Sequence, residues 1–547
     1  MVKNSIDHRH RSQRVSAGSD TARGSKPPRR ILRPRESMVP MIDRGPDVVR
    51  TTTGLVRGSI ENGLAVFRGI PFAKPPVGEL RFAAPQAAEV WDGVRAAASF
   101  GPPPPESMIF GPSSNPVSGD DWLTVNVWCP QPGTGAALPV MVWIHGGGYQ
   151  FGQSGDPTYD GARLAGEGGV VLVTFNHRVG VDGFGLLQGA PANRGLLDQV
   201  AALEWMRANI AAFGGDPAQV TVFGQSAGAG SIAALLAMPR AVGLFRRAIA
   251  QSAPGTYFSA SLAADLMTAI AARLGRRPTA DDLRGVPTAD IVAAGDAMNT
   301  AMVAQVERWG TAAYMKIPFA PVVDGEVLSR TPFEALAAGA GRDVDLIAGH
   351  TRDEYRLLLA ADGRLGNLTD EDAATAARML APDGYREAYP NASAERLYEL
   401  VHSDWLFRMP SHRLAEAQVA GGGRAYAYEL AWPDAGLGAC HGLDSPLVFG
   451  ATQGALLGFL LDAEPLAAAE QVSRHFRTAW TAFAHSGDPG WAAYDVTQRL
   501  VAVFGSELTV TPYPEDLSRR LWAGHAFAPL PLLKVGEEGF EPPTSSL

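Results

Sequence analysis

The chain has 547 residues and a mass of 57.8 kDa, with 46% hydrophobic and 19% charged residues and a net charge of −9. That is enough apolar content for a large core, which excludes a mostly disordered chain. With no apolar run of about 18 residues, a transmembrane helix is not expected. Two cysteines, Cys129 and Cys440, exclude a disulfide framework and a cysteine-rich zinc site.

Residues 1–40 carry ten Lys or Arg against three Asp or Glu, a net of +7 that leaves −16 on the remaining 507 residues. An acidic body of this kind disfavours nucleic acid and anionic membranes as partners. Residues 1–46 read as a basic, disordered extension, with Met38 and Met41 as plausible true starts and no apolar segment of the kind a secretory signal needs. Residues 534–547, rich in Glu, Gly, Pro and Ser, read as a disordered tail. Between them, residues 47–533 show no repeat and no linker. Length alone would suggest three or four domains, on a prior of about 150 residues each.

Ordered sequence is expected from Asp47. Val48-Val49 and Leu55-Val56 read as a short hairpin, and Ala65 to Phe72 as a strand ending in a proline turn. Gly101 to Pro116 reads as loop. Leu123 to Trp128 reads as a strand, and Leu138 to Ile144 and Val170 to Phe175 are continuous apolar runs, the pattern of strands buried on both faces. Period 3.6 then takes over in Leu196 to Phe213, a helix expected to stop at Gly214-Gly215-Asp216-Pro217. Val220 to Phe223, Ala248 to Gln251, Val344 to Ala348 and Arg424 to Trp432 read as further strands, and Ala227 to Met238 as a helix. Strands alternating with helices predict an α/β sheet covered on both faces.

Gly224-Gln225-Ser226-Ala227-Gly228 falls between the strand ending at Phe223 and the helix opening at Ala227. A turn that sharp strains its central residue, brings its flanks against neighbouring backbone where only glycine fits, and holds the Ser226 hydroxyl out at the carboxyl end of the sheet. Read blandly, it is a glycine-rich turn with an incidental serine. His145-Gly146-Gly147-Gly148-Tyr149 follows the strand Leu138–Ile144 directly. Successive glycines free their N–H groups to converge on one point, as a developing oxyanion requires.

These two motifs, in this order, resemble the type-B carboxylesterase/lipase family, the α/β-hydrolases related to cholinesterases, in its bacterial para-nitrobenzyl-esterase-type branch. Phe67-Arg68-Gly69-Ile70-Pro71-Phe72-Ala73-Lys74-Pro75-Pro76, Leu123 to Trp128, Phe213 to Pro217 and Ala248-Ile249-Ala250-Gln251-Ser252 extend the resemblance from about Thr53 to Trp522. It implies one α/β-hydrolase domain over residues 47–533, a large, mostly parallel central sheet with long loop insertions, in place of several domains.

An activated serine needs a general base and a group that orients it, and in this fold the chain order is Ser, acid, His. Of eleven histidines, His441 stands apart in a glycine-rich loop just past the strand Arg424–Trp432, while His402, His412 and His475 lie in helical stretches. The resemblance points to the same residue through Cys440-His441-Gly442-Leu443-Asp444-Ser445-Pro446. For the acid, Asp353 and Glu354 are equally able on chemistry alone, and the family pattern selects Glu354. It also implies Ser252 as a serine supporting that acid, and oxyanion donors at Gly147, Gly148 and Ala227. Ion pairs Arg81–Asp120 and Arg178–Asp198 are expected from the same pattern.

The implied activity is a cofactor-free serine carboxylesterase, with no metal, acting on small-molecule esters through an acyl-enzyme. Alternatives are a lactonase, amidase or lipase of the same fold, or a non-catalytic cholinesterase-like binding protein. The chain also departs from the family. Trp122 stands where a disulfide cysteine is common in secreted relatives, which points to a reducing cytoplasm. Gln225 replaces the usual Glu, and Pro105 to Asn115 lacks a choline-binding Trp; both argue against cationic substrates. Asp444 stands where Glu is commoner. Cys440 beside His441 could suggest thiol chemistry, but nothing else basic is placed to activate it. The acyl pocket is expected in the loops Met298 to Phe319 and Val401 to Met409, with Trp309, Tyr314, Trp405 and Phe407 as candidate linings.

Overall fold

The computed structural model describes residues 45–109, 111, 117–132, 135–432, 436–452, 458–460 and 467–533. Both terminal extensions expected from the sequence, apart from Gly45 and Pro46, lie outside these residues. The apolar runs form one eleven-stranded sheet. Its strands are β1 (Ser59–Glu61), β2 (Leu64–Pro71), β3 (Thr124–Cys129), β4 (Leu138–Ile144), β5 (Val171–Phe175), β6 (Gly215–Gln225), β7 (Arg247–Gln251), β8 (Asp345–Thr351), β9 (Ala425–Leu430), β10 (Leu500–Phe504) and β11 (Leu508–Pro512). Their order is β11-β10-β9-β8-β7-β6-β4-β5-β3-β2-β1. Pairing is parallel from β5 through β10 and antiparallel toward both edges. The expected hairpin forms as Val48–Arg50 against Leu55–Arg57, with Val94–Ala96 added as a third strand.

Alternation across the pleat explains why the central strands are apolar throughout. On β4, Val140, Val142 and Ile144 enter one core, while Met141 and Trp143 enter the core on the other face. On β5, Val171 and Val173 face the first core and Leu172 the second. Apart from the half-buried Leu138, every position on these two strands is buried, so neither strand shows the polar alternation of a solvent-facing sheet.

The helix expected over Leu196 to Phe213 is α1 (Arg194–Asn209), which ends in a 3₁₀ turn, Ile210–Phe213. Helix α2 (Ala227–Ala237) follows β6, and α3 (Ala467–Ser486) covers the second core. Gly214-Gly215-Asp216-Pro217 ends the helix as expected, and the strand expected over Val220 to Phe223 is longer, running from Gly215 to Gln225. Gly214 turns the chain in the left-handed region, and β6 has begun by Gly215, which pairs with Leu138 before an irregularity resets the register at Val140 and Val220.

Of the two expected ion pairs, one forms. Arg178 donates to Asp198 at 2.8 and 2.7 Å, with both side chains buried, and the Arg178 N–H adds a third bond at 3.0 Å. Arg81 pairs with Asp182 at 3.1 Å instead of Asp120. The reason is burial: Arg81 and Asp182 are both buried, whereas Asp120 is exposed and could offer only a weak, solvated contact. Breaking a buried pair leaves an uncompensated charge, so Asp198→Ala should lower unfolding stability by about 3–5 kcal/mol, measured by urea denaturation.

Register places the functional segments. Ile144 is level with Gly224, Gln225 with Gln251, Gln251 with Gly349, and Gly349 with Tyr428. The segments leaving β4, β6, β7, β8 and β9 therefore emerge along one carboxyl edge, where open α/β sheets bind ligands. No helix among the described residues is long and apolar enough to cross a membrane.

Candidate active site

Ser226 leaves β6 with φ 57° and ψ −126° and opens α2 as its first flanking residue. A non-glycine residue held there stores about 1–3 kcal/mol of backbone strain, which the close packing around it must sustain. The tightest approach is at Gly228, where a Cβ would lie 2.0 Å from the Ile144 carbonyl oxygen. Hence glycine is required two residues past the serine, to let the helix dock against the end of β4. The Ser226 N–H donates to the Gln251 carbonyl at 2.9 Å, tying the turn to β7.

The segment after β4 is shaped the same way. Gly147 has φ 113°, and a Cβ on it would meet the Phe151 carbonyl oxygen at 2.0 Å, so no other residue fits. Its carbonyl accepts from Gln150 and Phe151, which leaves the N–H side of the turn unused. The amides of Gly147, Gly148 and Ala227 donate to no acceptor among the described residues. His145, not assigned a role from sequence, fills the inside of this turn and stacks on His177 with centroids 4.2 Å apart. Burial pulls its imidazole down to about 4, so it is neutral at physiological pH.

Glu354 lies three residues past β8 and is fully buried. Its Oε2 is 2.6 Å from His441 Nδ1, and its Oε1 accepts from the Thr351 N–H at 2.9 Å. Burial alone would push this carboxyl up. The opposing charge and hydrogen bond of His441, with the Thr351 amide, outweigh it and hold the group below the usual carboxylate range. Ser252 stands at the end of β7 in the left-handed region, φ 55°, where its N–H donates to the Gly349 carbonyl at 2.8 Å.

Asp353, the other acid considered, does not reach the imidazole but clamps the two segments together. Its N–H donates to the Ala439 carbonyl at 2.8 Å, and its Oδ2 accepts from the Ala439 N–H at 3.1 Å. Beside it, the His441 N–H donates to the Glu354 carbonyl at 3.2 Å. Asp353 is also paired with Arg396 at 3.2 Å. Asp353→Ala should therefore loosen the histidine segment, lowering kcat about tenfold with little change in KM, about the value of one hydrogen bond to a charged group.

Residues 225, 226, 354 and 441 are thus assembled from three strand ends. The Ser226 hydroxyl is not hydrogen-bonded to His441 among the described residues; the Gln225 amide nitrogen instead lies 3.0 Å from His441 Nε2. A serine–histidine hydrogen bond of this kind often tightens only in the reacting complex. A carboxylate-oriented imidazole beside a strained hydroxyl and unoccupied amides can perform nucleophilic acyl transfer. The carboxylesterase family profile matches residues 45–502.

The chain belongs to the carboxylesterase family. It is 37% identical to the para-nitrobenzyl esterase of Bacillus subtilis (strain 168), over 86% of this chain and 98% of that protein. It is 33% identical to the phenmedipham hydrolase of Pseudarthrobacter oxydans, over 84% and 95% of the two chains. Among solved structures, a carboxylesterase of Geobacillus stearothermophilus superimposes with a TM-score of 0.78 at 35% identity, covering 87% of this chain and all of that one. This carboxylesterase is accordingly a carboxylic ester hydrolase of the α/β-hydrolase fold.

The segments expected to be pocket loops are largely helical: Thr288–Ala301 and Val306–Tyr314, then Ala394–Ser403, a π turn over Asp404–Arg408, and Met409–Ala420. Pro410 falls at the second position of its helix, where a missing N–H costs nothing, so it does not break the run. Trp309 is core, its indole N–H donating to Asp265 at 2.6 Å. Phe407 instead stacks on His441, with centroids 4.0 Å apart and planes at 20°. Nothing in the sequence spacing connects residue 407 to residue 441. Both cysteines are free, and burial pushes each thiol up to about 12, which suits structural packing rather than thiolate chemistry.

Proposed function

We propose that this carboxylesterase cleaves small neutral esters by a serine acyl-enzyme mechanism. Ser226 attacks the ester carbonyl while His441 takes its proton through Nε2. Glu354 fixes the proton on Nδ1 and stabilises the imidazolium, and His441 then passes its proton to the leaving alkoxide. Gly147, Gly148 and Ala227 donate to the oxyanion, each such donor contributing about 3 kcal/mol to the transition state. Water activated by His441 then frees Ser226.

The observation that carries this reading is the 2.6 Å contact between buried Glu354 and His441, beside a serine held at φ 57°. Gln225 is neutral, so no carboxylate at that position attracts a cationic substrate. We also read residues 47–533 as one catalytic unit working in the cytoplasm. Mixing enzyme with para-nitrophenyl esters of graded chain length should release a burst of nitrophenol, one per active site, before steady turnover. Turnover of every ester with no serine-bound acyl group trapped at low pH would contradict the mechanism.

A further inference from the structure

The Gln225 amide nitrogen lies 3.0 Å from His441 Nε2 and 3.5 Å from His441 Nδ1. Those ring nitrogens are about 2.2 Å apart, so a donor in line with the Nε2 lone pair would be about 5 Å from Nδ1. The two observed distances are compatible only with an amide nitrogen above the plane of the ring. Phe407 already lies nearly parallel to one face, with centroids 4.0 Å apart. An amide at 3.0 Å and a benzyl ring at 4.0 Å cannot share that face. The imidazole is therefore held between the Phe407 ring and the Gln225 amide, with its Nδ1 edge on Glu354 and no hydrogen bond in the ring plane to Nε2 among the described residues.

The NH₂ end of an amide is positive, so it meets the π face of the ring as a weak donor and carries no net charge. The other ionisable groups near the ring among the described residues come from several elements. Glu354 and Asp353 come from the segment after β8, Tyr428 comes from β9 and is bonded to Asp444 at 2.8 Å, and Cys440 is adjacent. Asp404 and Arg408, on the π turn that carries Phe407, pair with each other at 3.1 Å. Gln225 is thus a neutral group directly over the ring, set apart from the carboxylate at its edge.

We infer that Gln225 is a positioning residue for the general base: opposite Phe407 it clamps the His441 ring face-on and leaves the Nε2 edge for the Ser226 hydroxyl. The inference rests on the reading of His441 as that base. It goes beyond the residues that bond to substrate, because Gln225 acts only through the imidazole.

The test is the pH profile of kcat/KM on a neutral para-nitrophenyl ester for wild type, Gln225→Glu and Gln225→Ala. Gln225→Glu keeps the shape of the clamp but places a carboxylate over the ring. The acid limb should then move to higher pH by about one unit, the size of effect a close opposite charge produces. Gln225→Ala removes the clamp, so kcat should fall about tenfold with KM little changed. Should Gln225→Ala fail to fold, Phe407→Leu, which strips the other face, should give the same loss of kcat. An acid limb in Gln225→Glu that stays in place, or moves to lower pH, overturns the inference, as does full kcat in Gln225→Ala. Wild-type labelling by a fluorophosphonate that persists while the limb stays put means that the clamp alone is wrong. Labelling that survives Ser226→Ala means that the underlying mechanism is wrong.

Discussion

Ser226→Ala should lower kcat by about a million-fold, the cost measured for removing the nucleophile in serine hydrolases of other folds. The size follows from the arrangement, in which the hydroxyl is the only group placed on the strained turn between β6 and α2. Ser226→Ala leaves that turn, the glycines and the imidazole in place, so the residual rate should come from binding and from the amides proposed to hold the oxyanion. Because alanine fits the same backbone as serine, the loss should appear without a matching fall in unfolding temperature. Turnover within tenfold of wild type would mean that another group attacks the ester.

Glu354→Gln should lower kcat by about ten-thousand-fold, as an isosteric amide does at the orienting acid of other triads. The amide cannot compensate the imidazolium, and it can turn the ring to the wrong tautomer. Asp353, which bonds to Ala439 and not to the ring, should give a far smaller loss when replaced by asparagine. The pair of variants therefore separates two carboxylates that are adjacent in sequence. The same group sets an acid limit to stability. Its carboxyl is held below the usual range in the fold, so the unfolded chain binds the proton first as pH falls. The stabilisation is present at neutral pH and is lost as pH drops through the folded value. Acid unfolding of Glu354→Gln should accordingly be less steep than that of wild type.

The sheet was legible because its strands are apolar on both faces. Leu138 to Ile144 and Val170 to Phe175 lie within a residue of the observed β4 and β5. The sharp turn that carries Ser226 was legible because glycine at 224 and 228 is a backbone requirement that leaves a mark in sequence, and the Cβ contacts at Gly228 give the reason. The choice of Glu354 over Asp353 came from resemblance, since both are carboxylates past the same strand. Their difference lies in which side of the segment each faces, and no periodicity encodes that. Arg81 chose Asp182 because burial selects partners, and burial of an isolated charge is not written in local sequence. The position of Phe407 over His441 arises from a π turn packed against a distant loop, a contact between residues with no common pattern.

The most direct measurement is the site of covalent attachment when the enzyme meets a fluorophosphonate. Intact mass should rise by one phosphonyl group, with activity lost in proportion, and peptide mapping should place the group on Ser226. Attachment to another residue with esterase activity abolished, or full activity in protein phosphonylated at Ser226, would contradict the account.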